Sequence, residues 1–147
     1  MGQQQLLLLV LGIVIVGLAV VAGINAFDEN QQKSSEDALT NEAFRIASDA
    51  KAWYNKPTQY DGGGSDKSNL SSITWDDIGV SDSSMSDNDA SNASGAYSTP
   101  WGTININSQG PPLVFDVRTK QDSANAFGTV TFNPDNSSGN QIQFSRN

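Results

Sequence analysis

Oxygen-bearing side chains that could bind a metal ion crowd the stretch between residues 81 and 98. Asp82, Asp87 and Asp89 lie there among serines, with Asn88 and Asn92 as further candidates. Calcium is a hard cation that takes carboxylate and amide oxygens, so this stretch suggests a calcium site. The glycine and the bidentate glutamate of an EF-hand are missing, and a solvated acidic loop is the alternative interpretation. We expect no other cofactor.

Groups that could carry out catalysis are scarce, because the chain has no histidine and no cysteine. Histidine is the usual general base at neutral pH and a common metal ligand. Asp76 and Asp77 are adjacent carboxylates, but neighbouring side chains in an extended segment point to opposite faces. Nucleophile elbows, phosphate loops, haem motifs and zinc-ligand spacings are also missing from the sequence. These observations predict that the protein is not an enzyme.

Every charged residue of the chain follows residue 27, and the net charge is −8. An acidic surface repels nucleic acid and anionic lipid headgroups, so we expect no nucleic-acid partner. The asparagines Asn69, Asn92 and Asn136 fit the N-glycosylation pattern. In a chain so rich in asparagine and serine such matches arise by chance, and glycosylation stays open.

The charge-free segment contains an apolar run from Leu6 to Ile24, in which fourteen residues are Leu, Val or Ile. As a helix its 19 residues span about 28 Å, close to the hydrocarbon thickness of a bilayer. Three interpretations fit the run: a cleaved secretory signal, a membrane anchor, or a helix through which copies assemble. The leading residues carry no basic side chain, which disfavours the signal peptide. Asp28 and Glu29 follow the run directly, so translocation of the C-terminal part is the expected orientation.

The next segment has the apolar periodicity of a helix with one buried face. The spacing is i, i+4, i+7, i+8, i+11 and i+14, and its members are Leu39, Ala43, Ile46, Ala47, Ala50 and Trp53. Phe44 and Tyr54 widen this stripe, whereas the acidic residues are expected outside it: Glu29, Glu36, Asp37, Glu42 and Asp49. No proline precedes Pro57, so one helix of about 50 residues ending at Lys56 is predicted. Leu39, Ile46, Ala50 and Trp53 are the predicted contacts between this helix and the head.

The remainder predicts a small β-rich head of residues 57–147. Alternating segments separated by turn residues predict about four strands, at Trp101–Asn107, Leu113–Thr119, Phe127–Phe132 and Ile142–Phe144. Turn-sized gaps make an antiparallel meander the expected topology, with one apolar face against the helix stripe. The predicted fold class is therefore α+β. Its three parts are an apolar helix (1–27), an amphipathic continuation (28–56) and the head.

With these features the sequence resembles type IV pilins and the related pseudopilins. The resemblance rests on the charge-free apolar helix, its unbroken extension to Lys56-Pro57, and the small acidic head. It implies a subunit that a prepilin peptidase processes and methylates at its new N-terminus. Because a Met-Gly leader is far too short, Met1 is then expected to be either that mature N-terminus, which we favour, or the start of a relative without a leader. The implied partners are other copies of the chain, the inner membrane before assembly, and the pilus assembly machinery.

Two positions depart from the pattern of that family. Gln5 stands before Leu6 where the family has a glutamate that is thought to pair with a neighbouring subunit's amine. An uncharged amide costs less to bury than a carboxylate but gives up the ionic pair. The family's proline near position 22 is also missing, and Gly17 and Gly23 instead permit either local loosening or close helix approach.

We therefore expect a structural subunit of a pilus-like extracellular filament, inserted in the membrane before assembly and afterwards on the cell surface. Its assembly residues are Met1, Gln5, Leu6, Gly12, Gly17 and Gly23. The alternatives are a single-pass anchored domain that binds a ligand or partner, and a pseudopilin of a secretion or competence system. Roles in adhesion or motility are not distinguished by the sequence.

Overall fold

The structure is a computed structural model that describes residues 2–85, 95–136 and 139–147. One helix, α1, covers Gly2–Asn55, one residue short of the predicted end. By internal contacts the chain divides into two units, the first ending at Ser34 and the second beginning at Ser35. The division therefore falls within α1, and the second unit begins seven residues after Asp28, the first charged residue.

The first unit consists of the N-terminal part of α1. Its Leu, Val and Ile side chains between Leu6 and Ile24 are each between 50% and 69% exposed. Phe27 is 79% exposed. A helix that is apolar all round has no polar face to turn toward water, so this segment needs lipid or other protein around it.

The second unit combines the remainder of α1 with an antiparallel sheet, which confirms the predicted α+β class. Its strands are β1 (Ala96–Ser98), β2 (Gly102–Ser108), β3 (Leu113–Thr119), β4 (Gly128–Phe132) and β5 (Ile142–Arg146). They lie in the order β1-β2-β3-β4-β5 with every neighbour antiparallel. Each strand thus pairs with the next in sequence, as short turn-sized connections require.

The core lies between one face of the sheet and one stripe of α1. Both periodicities converge on it: alternate strand residues and helix residues three or four apart are fully buried. Phe115 and Val130 come from the sheet, and Ile46 and Ala47 from the helix. A third contribution comes from the segment before the sheet, whose buried residues are Leu70, Ile73, Trp75, Ile78, Val80 and Met85.

The glycine-rich loop of residues 62–65 donates backbone hydrogen bonds to carbonyl groups at the end of α1, where helical partners run out. The backbone N–H of Gly63 donates to Trp53 O (2.9 Å), that of Gly64 to Lys56 O (2.8 Å) and that of Ser65 to Tyr54 O (2.8 Å). A Cβ at Gly62 would lie 2.2 Å from Lys56 O, so the loop can approach the helix only with glycine there.

Two sequence-based expectations were wrong. About four strands were predicted and the described residues form five, because β1 lies in the stretch between residues 81 and 98, where no strand was predicted. The residues of β1 do not alternate between apolar and polar types, so the sequence gives no strand signal there. Their strand conformation comes with the pairing to β2. Glu36 was placed outside the helix stripe, yet it is only 8% exposed and forms an ion pair with Arg146 of β5. It lies three residues before Leu39, on the same helix face.

Replacing Gly102 with alanine is expected to destabilise the second unit by about 1–3 kcal/mol, the usual cost of overpacking. The new Cβ would lie 2.0 Å from Arg118 O and 2.9 Å from Leu39 Cδ1, so β2 has to move away from both β3 and α1. Chemical denaturation of the detergent-solubilised chain measures the loss. Thr103→Ala at the neighbouring, half-buried position is the control, and equal stabilities of the two variants would contradict the prediction.

Candidate functional site

The largest exposed feature of the first unit is the apolar surface, defined as the side chains of Leu6–Ile24. Among the described residues, α1 is the helix long and apolar enough to cross a membrane, and none of its most apolar stretch is buried. Its Leu, Val and Ile side chains together favour insertion by roughly 4–8 kcal/mol, at ~0.3–0.6 kcal/mol each. Exposed apolar patches of this size are typical of membrane or protein contacts.

The assembly residues predicted from the sequence fall on this surface or beside it. Gln5 is exposed at its N-terminal edge, and Leu6 is 64% exposed. At Gly12, Gly17 and Gly23 an added Cβ would meet no atom within 4 Å. These glycines are therefore not required by packing within one copy of the chain. Met1 lies outside the described residues.

The polar border of the apolar surface begins at Asp28, which is followed by an exposed ion pair on the same helix. Lys33 Nζ lies 2.7 Å from Glu29 Oε1, one turn away. This pair lowers the pKa of Glu29, through the hydrogen bond first and the charge of Lys33 second. Pairs of this kind contribute little to stability in water, so we read it as a solvated border.

The predicted contacts between helix and head lie in the second unit. Leu39, Ile46 and Ala50 are completely buried, and Trp53 is half-buried against the core. The indole Nε1 of Trp53 is inaccessible to solvent and has no hydrogen-bond partner within the described part of the chain. An unsatisfied buried donor of this kind costs about 1–3 kcal/mol.

An acidic network ties α1 to β1. Glu42 Oε1 accepts hydrogen bonds from Arg45 Nη2 (2.6 Å) and from the Tyr97 hydroxyl (2.8 Å). Asp49 accepts a further bond from Arg45 Nη1 at 3.2 Å. The hydrogen bond from Arg45 lowers the pKa of Glu42, partial burial opposes this, and Tyr97 adds to the lowering. Burial, with the bond to Glu42, raises the pKa of Tyr97.

This network predicts a component of stability that is lost in acid. A carboxylate whose pKa is lowered in the folded state stabilises the fold above its unfolded pKa, and this stabilisation disappears as the pH falls through the folded value. For Glu42 the loss therefore begins near 4.5 and continues below it. Glu42→Gln should reduce the slope of unfolding free energy against pH in that range, whereas Asp37→Asn, on an exposed helix position, should not. Identical slopes for wild type and Glu42→Gln would contradict this.

The predicted calcium ligands fall mostly beyond what the structure describes. Asp87 and Asp89 lie outside the described residues, as do Asn88 and Asn92. Asp82 begins a short 3-10 helix, Asp82–Ser84. Within the described ranges no group of three or more His, Cys, Asp or Glu side chains could hold a metal ion. The calcium site stays a prediction.

A polar cleft at the C-terminal end of α1 was not anticipated from the sequence. It encloses about 610 Å³, and its lining includes Trp53, Lys56, Asn69, Asp76 and Asp77. Its walls come from three separate stretches of chain, which is why spacing along the sequence did not reveal it. All five of these residues had been named from the sequence, but each for another reason and none as part of a shared cleft.

Hydrogen bonds both between and within these stretches hold the walls of the cleft. Asn69 Nδ2 donates to Gly63 O (2.9 Å), which fixes the glycine-rich loop. Asp77 Oδ2 accepts from both the backbone N–H and the hydroxyl of Thr74, each at 2.9 Å. Asp77 therefore has a structural role. Asp76 is exposed beside it.

Comparison of the chain with protein-family models, with curated proteins and with solved structures finds no match.

Proposed function

We propose that this chain is the structural subunit of a pilus-like extracellular filament that polymerises through the apolar surface. The observation that carries the proposal is that every Leu, Val and Ile side chain of that surface is at least half exposed, in a helix that goes on to supply the buried stripe of an α+β head. A fold compatible with a pilin supports the same conclusion. Copies of the chain would cover one another's apolar surfaces in the filament core, and the acidic heads would face water.

The driving force for such assembly has to be packing. Moving the apolar surface from lipid tails into a protein core gains little by transfer, because both surroundings are apolar. Close contact between helices, which small residues permit, supplies the preference instead. We therefore assign Gly12, Gly17 and Gly23 to close approach between copies, with Gln5 accepting or donating a hydrogen bond at the edge of the core.

Processing and methylation belong to the proposal as consequences of the pilin resemblance, and calcium binding belongs to it through the carboxylates of Asp82, Asp87 and Asp89. A prepilin peptidase and an assembly machinery would then act on the chain in the inner membrane. Intact-mass measurement tests the first part: a mature N-terminus at Met1 with the mass increment of one methyl group is expected.

A single-pass membrane-anchored surface domain is the second candidate. It is favoured by the length and hydropathy of the α1 segment, which suffice to cross a bilayer. An anchor needs the same apolar surface but no contact between copies. A pseudopilin would need that contact only in a short assembly.

Microscopy of sheared cell-surface material distinguishes these candidates. Negative staining with an antibody against the head should show thin, labelled filaments that disappear from cells lacking the gene for this chain. Recovery of the chain only from detergent-extracted membranes, with no labelled filament, would favour the anchor.

A further inference from the structure

We propose that the cleft beside Trp53 binds a neutral saccharide. The site does not depend on the proposed filament, since all its lining residues belong to the second unit. A second, smaller cleft of about 380 Å³ shares Trp53, Lys56, Asp76 and Asp77 with it. The two clefts together are called the groove below.

The charges in the groove disfavour an anionic ligand. Its lining combines Lys56 with the carboxylates of Asp61, Asp76 and Asp77, so it is acidic overall and repels anions. A metal ion lacks the necessary cluster of ligands among the described residues. The lining is too polar for an apolar molecule.

The hydrogen-bonding groups favour a ligand that both donates and accepts. Asp61 and Asp76 offer acceptors, whereas Lys56 and the hydroxyl of Thr58 offer donors. The side chain of Trp53 also lines the cleft, and its indole Nε1 is closed off from solvent. A cationic ligand such as a polyamine carries hydrogen-bond donors but no acceptors, so it could not pair with the donors of Lys56 and Thr58. Sugar hydroxyls donate and accept at once, and an aromatic ring with polar neighbours suits their mixed apolar and polar surfaces.

The scaffold around the groove is fixed before any ligand arrives. The loop on one side is tied to the end of α1 by three backbone hydrogen bonds, and Gly63 approaches so closely that an added Cβ would lie 3.0 Å from Trp53 Cζ3. On the other side Thr74 and Asp77 bond to each other. Pre-formed sites of this kind avoid the cost of ordering loops on binding.

Nuclear magnetic resonance of the indole N–H groups tests the proposal on the full chain in detergent. The chain has three tryptophans, and Trp53→Phe identifies the resonance of Trp53. Maltotriose, triacetylchitotriose and lactose are the neutral probes, with spermidine as the cationic one. We expect at least one neutral probe to shift the Trp53 resonance saturably in the millimolar range, while Trp101, which lies outside the groove, stays unchanged.

The matched variants are Asp76→Asn, in the groove, and Asp37→Asn, an exposed residue outside it. Loss of a charged hydrogen-bond acceptor should weaken binding about tenfold in the first and leave it unchanged in the second. No shift of Trp53 with any neutral probe, a shift with spermidine alone, or equal binding by both variants would overturn the proposal. Because filaments are not needed, failure here leaves the assembly proposal standing.

Discussion

Replacing Gly12 with leucine is expected to abolish filaments while membrane insertion and head stability stay intact. Within one copy nothing lies within 4 Å of an added Cβ, so the isolated chain accommodates the side chain. Leucine also favours helix by about 1 kcal/mol over glycine and inserts readily into lipid. Between packed copies the extra atoms overfill the contact at about 1–3 kcal/mol, repeated at every subunit, so filament yield should fall at least about tenfold. Quantitative immunogold microscopy beside membrane fractionation measures both effects.

Companion variants separate bulk from backbone effects. Gly12→Ala adds one methyl group and the same helical preference, so filaments should survive it in reduced number. Gly23 lies about 20° from Gly12 around the helix and Gly17 about 140° away, at about 100° per residue. Gly23→Leu and Gly17→Leu therefore probe two different faces. Normal filaments in all three leucine variants would contradict close packing at the glycines. A plain anchor forms no filaments in any variant, so it cannot explain filaments that wild type makes and a normally inserted leucine variant does not.

Replacing Trp75 with alanine is expected to cost about 3–5 kcal/mol of stability, as large core truncations do. Trp75 is completely buried, contacts Phe115 and Tyr97 with ring centroids 6.2 and 6.1 Å apart, and donates through Nε1 to Gly95 O at 2.9 Å. A small domain has about 5–15 kcal/mol in total, so a large share of the head's stability would be lost.

The matched control is Trp101→Ala, because Trp101 is 46% exposed. Its effect should stay within about 0.5 kcal/mol, as for most surface substitutions. Denaturant titration followed by near-ultraviolet circular dichroism measures both variants in detergent. Similar midpoints for the two would show that the segment carrying Trp75 is not part of the core.

The features that sequence reasoning predicted well are those that repeat along the chain. The helix stripe follows from apolar residues three and four apart, and strands β2 to β5 follow from alternation between turn residues. These periodicities are visible in short stretches of sequence, because each element needs apolar residues at regular spacing on the face that it buries against a neighbouring element. For the same reason the predicted sheet face around Phe115 and Val130 lies in the core.

The features that were missed depend on partners far along the chain. Glu36 is charged and was assigned to the surface, but its partner Arg146 lies 110 residues away. Strand β1 has only three residues, and its order depends on pairing with β2 rather than on its own composition. The cleft lies between the end of α1 and two later segments of the chain. No pattern of residue spacing predicts that these segments come together.

The most direct test of the assembly proposal is electron cryomicroscopy of filaments sheared from cells that make this chain. We expect a helical map whose centre is filled by the Leu6–Ile24 segments of many copies, with the acidic heads outside. Filaments built from other proteins, or this chain found only as single molecules in membranes, would contradict it.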